Sequence, residues 1–215
     1  MHLRRLAAAI ALLWLVGCAT GSRGSAHYLR YVAFEVPGGE HVTLRWQADQ
    51  LPLRIHLPPP PDTLAGDPEA VFDAVRDGVT DWIGVAGDGL PAFTFVDDPG
   101  DADIPIVWEE EPSGDWYVAH CAYDINAMQR RFGVARILVT TRWRGGEVSL
   151  DLQYQAVLHE MGHALGLGGH SPDPSDVMYK SVGAATEPSA RDRETLRLLY
   201  ARPIGKTVVG PRSAD

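Results

Sequence analysis

Cysteine is nearly absent, with two residues in a chain of 215. Cys18 lies in the apolar N-terminal stretch, so Cys121 has no internal partner and a disulfide framework is excluded. The bland reading of Cys121 is a small buried hydrophobe. Basic charge is also scarce: 19 Lys and Arg stand against 28 Asp and Glu, a formal charge of −9. An acidic balance of that size argues against a nucleic-acid partner. Long apolar runs are missing too, because Leu6–Val16 is too short to cross a bilayer. No repeat or low-complexity tract occurs beyond the prolines Pro58–Pro61. What remains, 45% hydrophobic and 22% charged residues, falls in the range of one globular domain, expected to be monomeric.

The densest chemistry lies in His159–His170, which reads HEMGHALGLGGH. His159 and His163 are four residues apart, so on a helix they share one face. Two imidazoles so placed can both reach a zinc ion. Glu160 follows the first of them, beside the metal rather than aimed at it, as suits a carboxylate that takes a proton from water. Leu150–Leu158 reads as the preceding helical turns, with Asp151 as N-cap and Leu152, Ala156 and Val157 on an apolar face. Gly166, Gly168 and Gly169 end the helix, each costing about 1 kcal/mol there relative to Ala. A reversal at Gly166 brings His170 round as a third nitrogen ligand. Three protein ligands leave one position open, the mark of a catalytic rather than a structural zinc.

With Ser171, Asp173-Pro174 and Val177-Met178-Tyr179 behind it, this segment resembles the zinc-binding signature of the metzincin metallopeptidases, and most closely the matrixin branch. His159, Glu160, His163, Gly166 and the Met-turn residue Met178 match that pattern. One departure is that three residues, not two, separate Gly166 from the third His, read here as a one-residue glycine bulge. The resemblance covers about residues 51–200 and implies a zinc-dependent endopeptidase. It also implies an α+β fold: a twisted, mostly parallel five-stranded sheet with an active-site helix and a C-terminal helix. A pro-segment cysteine that caps the zinc in matrixins has no counterpart between Gly21 and Asp49.

The chain begins with Arg4-Arg5, an apolar run and Leu15-Val16-Gly17-Cys18, which together read as a signal peptide. The last four residues resemble the lipobox of bacterial lipoproteins. Residues 1–17 are then removed, Cys18 is acylated, and the lipid tethers the protein to a membrane without a spanning helix. Ala19 after the Cys suggests, by analogy with bacterial sorting, the outer membrane. Residues 18–50 form a lipidated stalk and a β-hairpin, 51–202 the catalytic domain, and 203–215 a tail.

The hairpin pairs Tyr31–Val36 with His41–Trp46 across Pro37–Glu40. Pro52–Leu57 reads as a strand. Asp67-Pro68 starts a helix that carries Val71, Ala74, Val75, Gly78, Trp82 and Ile83 inward to about Ala86. Ala92–Val96, Asp103–Trp108, Trp116–His120 and Val134–Thr140 are further strands. Ser189–Asp192 opens a last helix with Leu196, Leu199 and Tyr200 inward.

The segment Trp116, Tyr117, Val118, Ala119 and His120 resembles the edge strand along which matrixins hold an extended peptide. It is expected to pair with a peptide or protein substrate. His120 lacks the partners a second, structural zinc needs, so one Zn2+ is expected. The acidic runs Asp97-Asp98, Asp101–Asp103 and Glu109–Glu111 lack a calcium-loop pattern and read as a solvated rim. Two alternatives stand beside the endopeptidase: a non-catalytic lipoprotein whose zinc braces a docking module, and an amidase acting on cell-wall peptides.

Overall fold

The computed structural model describes residues 26–36, 39–63, 66–82, 90–110, 117–126, 129, 131–183 and 185–203. Five strands form the central sheet: β3 (Leu53–His56), β4 (Phe93–Phe95), β5 (Ile104–Glu109), β6 (Ala119–Asn126) and β7 (Arg131–Thr140), in the order β4-β3-β5-β7-β6. All neighbours run parallel except β6, which lies antiparallel to β7 at one edge, with Ala119 opposite Val139 and Asn126 opposite Arg131. Alternation drives the strands inward on one side: Leu53 and Ile55 of β3 are fully buried while Arg54 between them is exposed. Arg54 in turn pairs with Asp103 at 3.0 Å.

Helix α1 (Pro68–Thr80) starts where the sequence predicts, with Asp67 accepting from the Glu69 amide at 3.1 Å and Pro68 in the first turn. Val71, Val75, Gly78 and Val79 form its buried stripe. Trp82, just beyond it, is buried and donates its indole N–H to the Leu158 carbonyl at 2.8 Å. The residues expected to continue the helix from Ile83 to Ala86 lie outside the described residues. Helix α2 (Leu150–Ala164) is capped by Ser149, whose hydroxyl accepts from the Leu152 amide. The expected cap, Asp151, instead lies in the first turn, where a carboxylate still meets the positive end of the helix. Helix α3 (Ala190–Ala201) opens with a capping box between Ser189 and Asp192, and buries Leu196, Leu199 and Tyr200.

The N-terminal hairpin is shorter than expected: β1 (Phe34–Val36) pairs with β2 (Glu40–Val42), and Pro37 and Gly38 lie outside the described residues. Leu44 and Trp46 leave the ladder and enter the core, where the Trp46 indole donates to the Ala164 carbonyl at 2.8 Å. Tyr28 through Trp46 thus share one hydrophobic core with the sheet and helices. A second hairpin, β8 (Arg142–Trp143) with β9 (Gly146–Glu147), turns through Arg144 and Gly145 at positive φ between β7 and α2. Among the described residues, no helix is long and apolar enough to cross a membrane.

Candidate metal centre

Helix α2 carries His159 and His163 one turn apart, and both are buried. The helix ends at Ala164, and Gly166 adopts φ +116°, a conformation that favours glycine. The chain doubles back there and returns His170 to the same place. One ligand atom from each of the three imidazoles lies within 4.8 Å of the others. Ring centroids are 4.8, 5.2 and 5.3 Å apart, with the rings of His159 and His170 stacked.

Two rings are held by backbone. His159 Nδ1 donates to the Val177 carbonyl at 2.7 Å, and His163 Nδ1 to the Leu167 carbonyl at 2.5 Å. These bonds fix the tautomer and leave each Nε2 lone pair for a metal. Burial holds all three imidazoles below their ordinary pKa; at His163 the two neighbouring rings add to it, and His170, beside His159 and Lys180, is brought to about 4. All three are therefore neutral, the form a metal requires. Three converging nitrogens with oriented rings suit one zinc ion. Asp173, which could have closed the site, is occupied by Arg191 at 2.7 Å and by Ser175. Among the described residues, no carboxylate or thiol joins the three imidazoles as a ligand group.

Glu160 lies beside them and reaches across to the sheet: the Cys121 amide on β6 donates to its Oε2 at 2.8 Å. Burial raises its pKa to about 8, and that amide only partly offsets the rise. Below the helix, Met178 is fully buried with its thioether against Gly162, the residue before His163. Any side chain at Gly162 would displace it. The Met178 carbonyl accepts from the Ser171 amide at 2.6 Å, closing the 171–178 loop. Asp176 clamps that loop to α3, accepting from the Ser171 and Ser189 hydroxyls and twice from Arg191 at 2.8 and 3.0 Å.

The three rings open into a cleft of about 640 Å³. Tyr117, Val118, Ala119 and His120 line its upper side, with Tyr117 stacked on the His120 ring at 4.9 Å. Of the five residues expected as an edge strand, Ala119 and His120 lie in β6, Tyr117 and Val118 precede it, and Trp116 lies outside the described residues. The strand extends instead to Asn126, because its ladder with β7 continues past a bulge at Asp124/Ile125. Trp143, Leu152, Ala156, Lys180 and Val182 complete the wall and were not anticipated. The sequence shows Arg144-Gly145-Gly146 only as a link into the zinc helix; that this link is a hairpin, and that its Trp143 faces the cleft, emerges from the structure. Cys121 is the one free cysteine among the described residues and is buried beneath Glu160. Cys18 lies outside the described residues.

Compared with known proteins, residues 45–201 match the family model of the peptidase M10 group, described as matrixin. That span is well over half of the chain. No curated protein matches it.

Proposed function

The chain belongs to the matrixin family of zinc metalloendopeptidases, and we propose that its reaction runs through Glu160, with His159, His163 and His170 holding the zinc. The observation that carries this reading is the convergence of three neutral imidazoles and one carboxylate at the floor of an open cleft. Zinc supplies Lewis acidity there when bound, polarising the scissile carbonyl and acidifying the attacking water. Glu160 accepts the proton of that water. Its Oε2 is committed to the Cys121 amide, so Oε1 holds the proton and later delivers it to the leaving amine. The same amide keeps the carboxylate from rotating. Met178 forms the floor that supports the two helical ligands.

An extended peptide substrate pairs with the edge of β6, the strand whose outer side has no neighbour in the sheet among the described residues. His120 and Tyr117 flank its path. Glu160→Gln keeps the zinc and lowers peptide hydrolysis by orders of magnitude, read from zinc content and turnover of one peptide library with and without chelator. Undiminished turnover in that variant removes Glu160 from the mechanism.

The N-terminal sequence supports a tether. Residues 1–17 act as an export signal, Cys18 is acylated, and the protease works on the outer side of the cytoplasmic membrane or at the outer membrane. The stalk is the small, polar stretch ahead of Tyr28, and residues 203–215 are a tail.

A further inference from the structure

We propose that the N-terminal segment Tyr28–Trp46 is a brace that positions two of the zinc ligands, His170 and His159. Most of it precedes the matrixin-matched residues 45–201. The inference rests on the reading of His159, His163 and His170 as the zinc ligands.

The brace meets the His170 turn at three glycines, Gly166, Gly168 and Gly169. The Gly168 amide donates to the Val32 carbonyl at 3.1 Å. Phe34 lies flat against Gly168, where a Cβ would come within 2.6 to 2.7 Å of its ring. A Cβ on Gly169 would run into the Tyr31 carbonyl. The pair Gly168-Gly169 includes the residue by which this chain exceeds the usual matrixin spacing. The two glycines therefore have a physical reason: the turn passes against the Phe34 ring and the Tyr31 carbonyl, which leave no room for side chains. At Gly166 the same segment closes in again, with the Leu44 carbonyl 2.9 Å from where a Cβ would sit. Phe34 is itself fixed by edge-to-face contacts with Tyr123 at 4.9 Å and Phe132 at 5.3 Å.

The second arm reaches His159 through α3. The Tyr28 hydroxyl donates to Asp192 Oδ1 at 2.5 Å, and the Tyr28 amide donates to the Thr195 hydroxyl at 3.0 Å. Asp192 Oδ2 accepts from the Val177 amide at 3.0 Å. The Val177 carbonyl is the acceptor that orients the His159 ring. Asp192 is fully buried, and the Tyr28 hydroxyl is the donor to its Oδ1 while the Val177 and Ser189 amides serve Oδ2, so losing that hydroxyl weakens the solvation of a buried carboxylate. Phe34 and Tyr28 are positioning residues: they act on the ligands through Gly168 and through Asp192 and Val177.

The test uses the full chain carrying Phe34→Ala, Phe34→Leu or Tyr28→Phe, with Ile55→Ala in β3 as a core control outside the cleft and His170→Ala as a ligand control. Zinc affinity is measured by chelator competition, the ligand field by the visible absorption of the cobalt-substituted protein, and stability by thermal unfolding. Outer-shell partners of metal ligands typically govern about 10- to 100-fold in affinity. Phe34→Ala therefore weakens zinc binding by at least about tenfold and alters the cobalt spectrum, Phe34→Leu restores most of both, and Tyr28→Phe shifts them in the same direction by less. Ile55→Ala lowers the melting temperature and leaves zinc affinity and spectrum as they were. Equal loss of affinity in Phe34→Ala and Ile55→Ala overturns the brace. If Phe34→Ala does not fold, unchanged affinity in both Phe34→Leu and Tyr28→Phe overturns it. If His170→Ala binds zinc as tightly as the unaltered chain, the ligand assignment has failed and the brace falls with it. If His170→Ala weakens binding and the brace variants do not, the brace alone is refuted.

Discussion

Glu160 and Gln153 lie on the same helix and have opposite relations to their surroundings. Glu160 has a partner for one oxygen and a raised pKa of about 8 caused by burial. Gln153 is fully buried with neither its amide nitrogen nor its oxygen hydrogen-bonded. A buried amide without partners costs roughly 1–3 kcal/mol. Gln153→Met, close in shape and apolar, is accordingly expected to raise the unfolding free energy by about 1 kcal/mol or more in denaturant titration. For Glu160 the linkage is visible in the metal-free protein. Burial lowers the pKa values of the three imidazoles, so the unfolded chain binds more protons at acid pH and stability rises toward about 6.5. Above about pH 7 the histidines are mostly neutral in both states, and Glu160 still holds a proton in the fold that the unfolded chain has lost. Stability of the metal-free protein therefore falls between about pH 7 and 8. Thermal unfolding across that window, with Glu160→Gln lacking the slope, checks the sign.

At the level of elements, the 171–178 loop is held by one buried carboxylate. Asp176 is 2% exposed and is bound by Arg191, Ser171 and Ser189. Breaking such a buried pair by removing one partner costs about 3–5 kcal/mol. Asp176→Ala is expected to lose on that order in denaturant unfolding and to expose the loop amides to hydrogen exchange, whereas a conservative change on the exposed face of α1 does neither. Elements whose signals are local were legible in the sequence: α1 from Asp67-Pro68, α3 from its capping box, β3 from its alternation, and the His159/His163 pair from helical spacing. The expected Asp151 cap missed by two residues because Ser149 offers an equally good acceptor. The two-residue strands β8 and β9 are too short to show a period, and β6 runs beyond its expected end because its partner β7 begins earlier than expected, at Arg131. The Tyr28–Asp192 bond joins residues 164 positions apart, and no window along the chain can see that pairing. The third ligand was readable from Gly166. Why the turn needs two more glycines depends on Tyr31 and Phe34.

For the whole molecule, the β6 edge and the three imidazoles line one cleft, and the N-terminal segment shares the hydrophobic core. A lipid on Cys18 would leave nine residues between the anchor and Tyr28, the first large side chain in the core. The catalytic unit then stays close to the bilayer. The full-length protein is expected in the detergent phase of a phase-separation assay and in the membrane pellet. Cys18→Ala, with peptide hydrolysis retained, moves to the aqueous fraction. A Cys18→Ala protein that still pellets with membranes after a salt wash removes the lipid anchor from the reading.

Because the first-made stretch of the domain, Tyr28–Trp46, closes on α3, which is made last, a nascent or clipped chain lacking either end has no complete seat for its metal. On the brace reading, a chain cut short before α3 holds its zinc more weakly than the finished one.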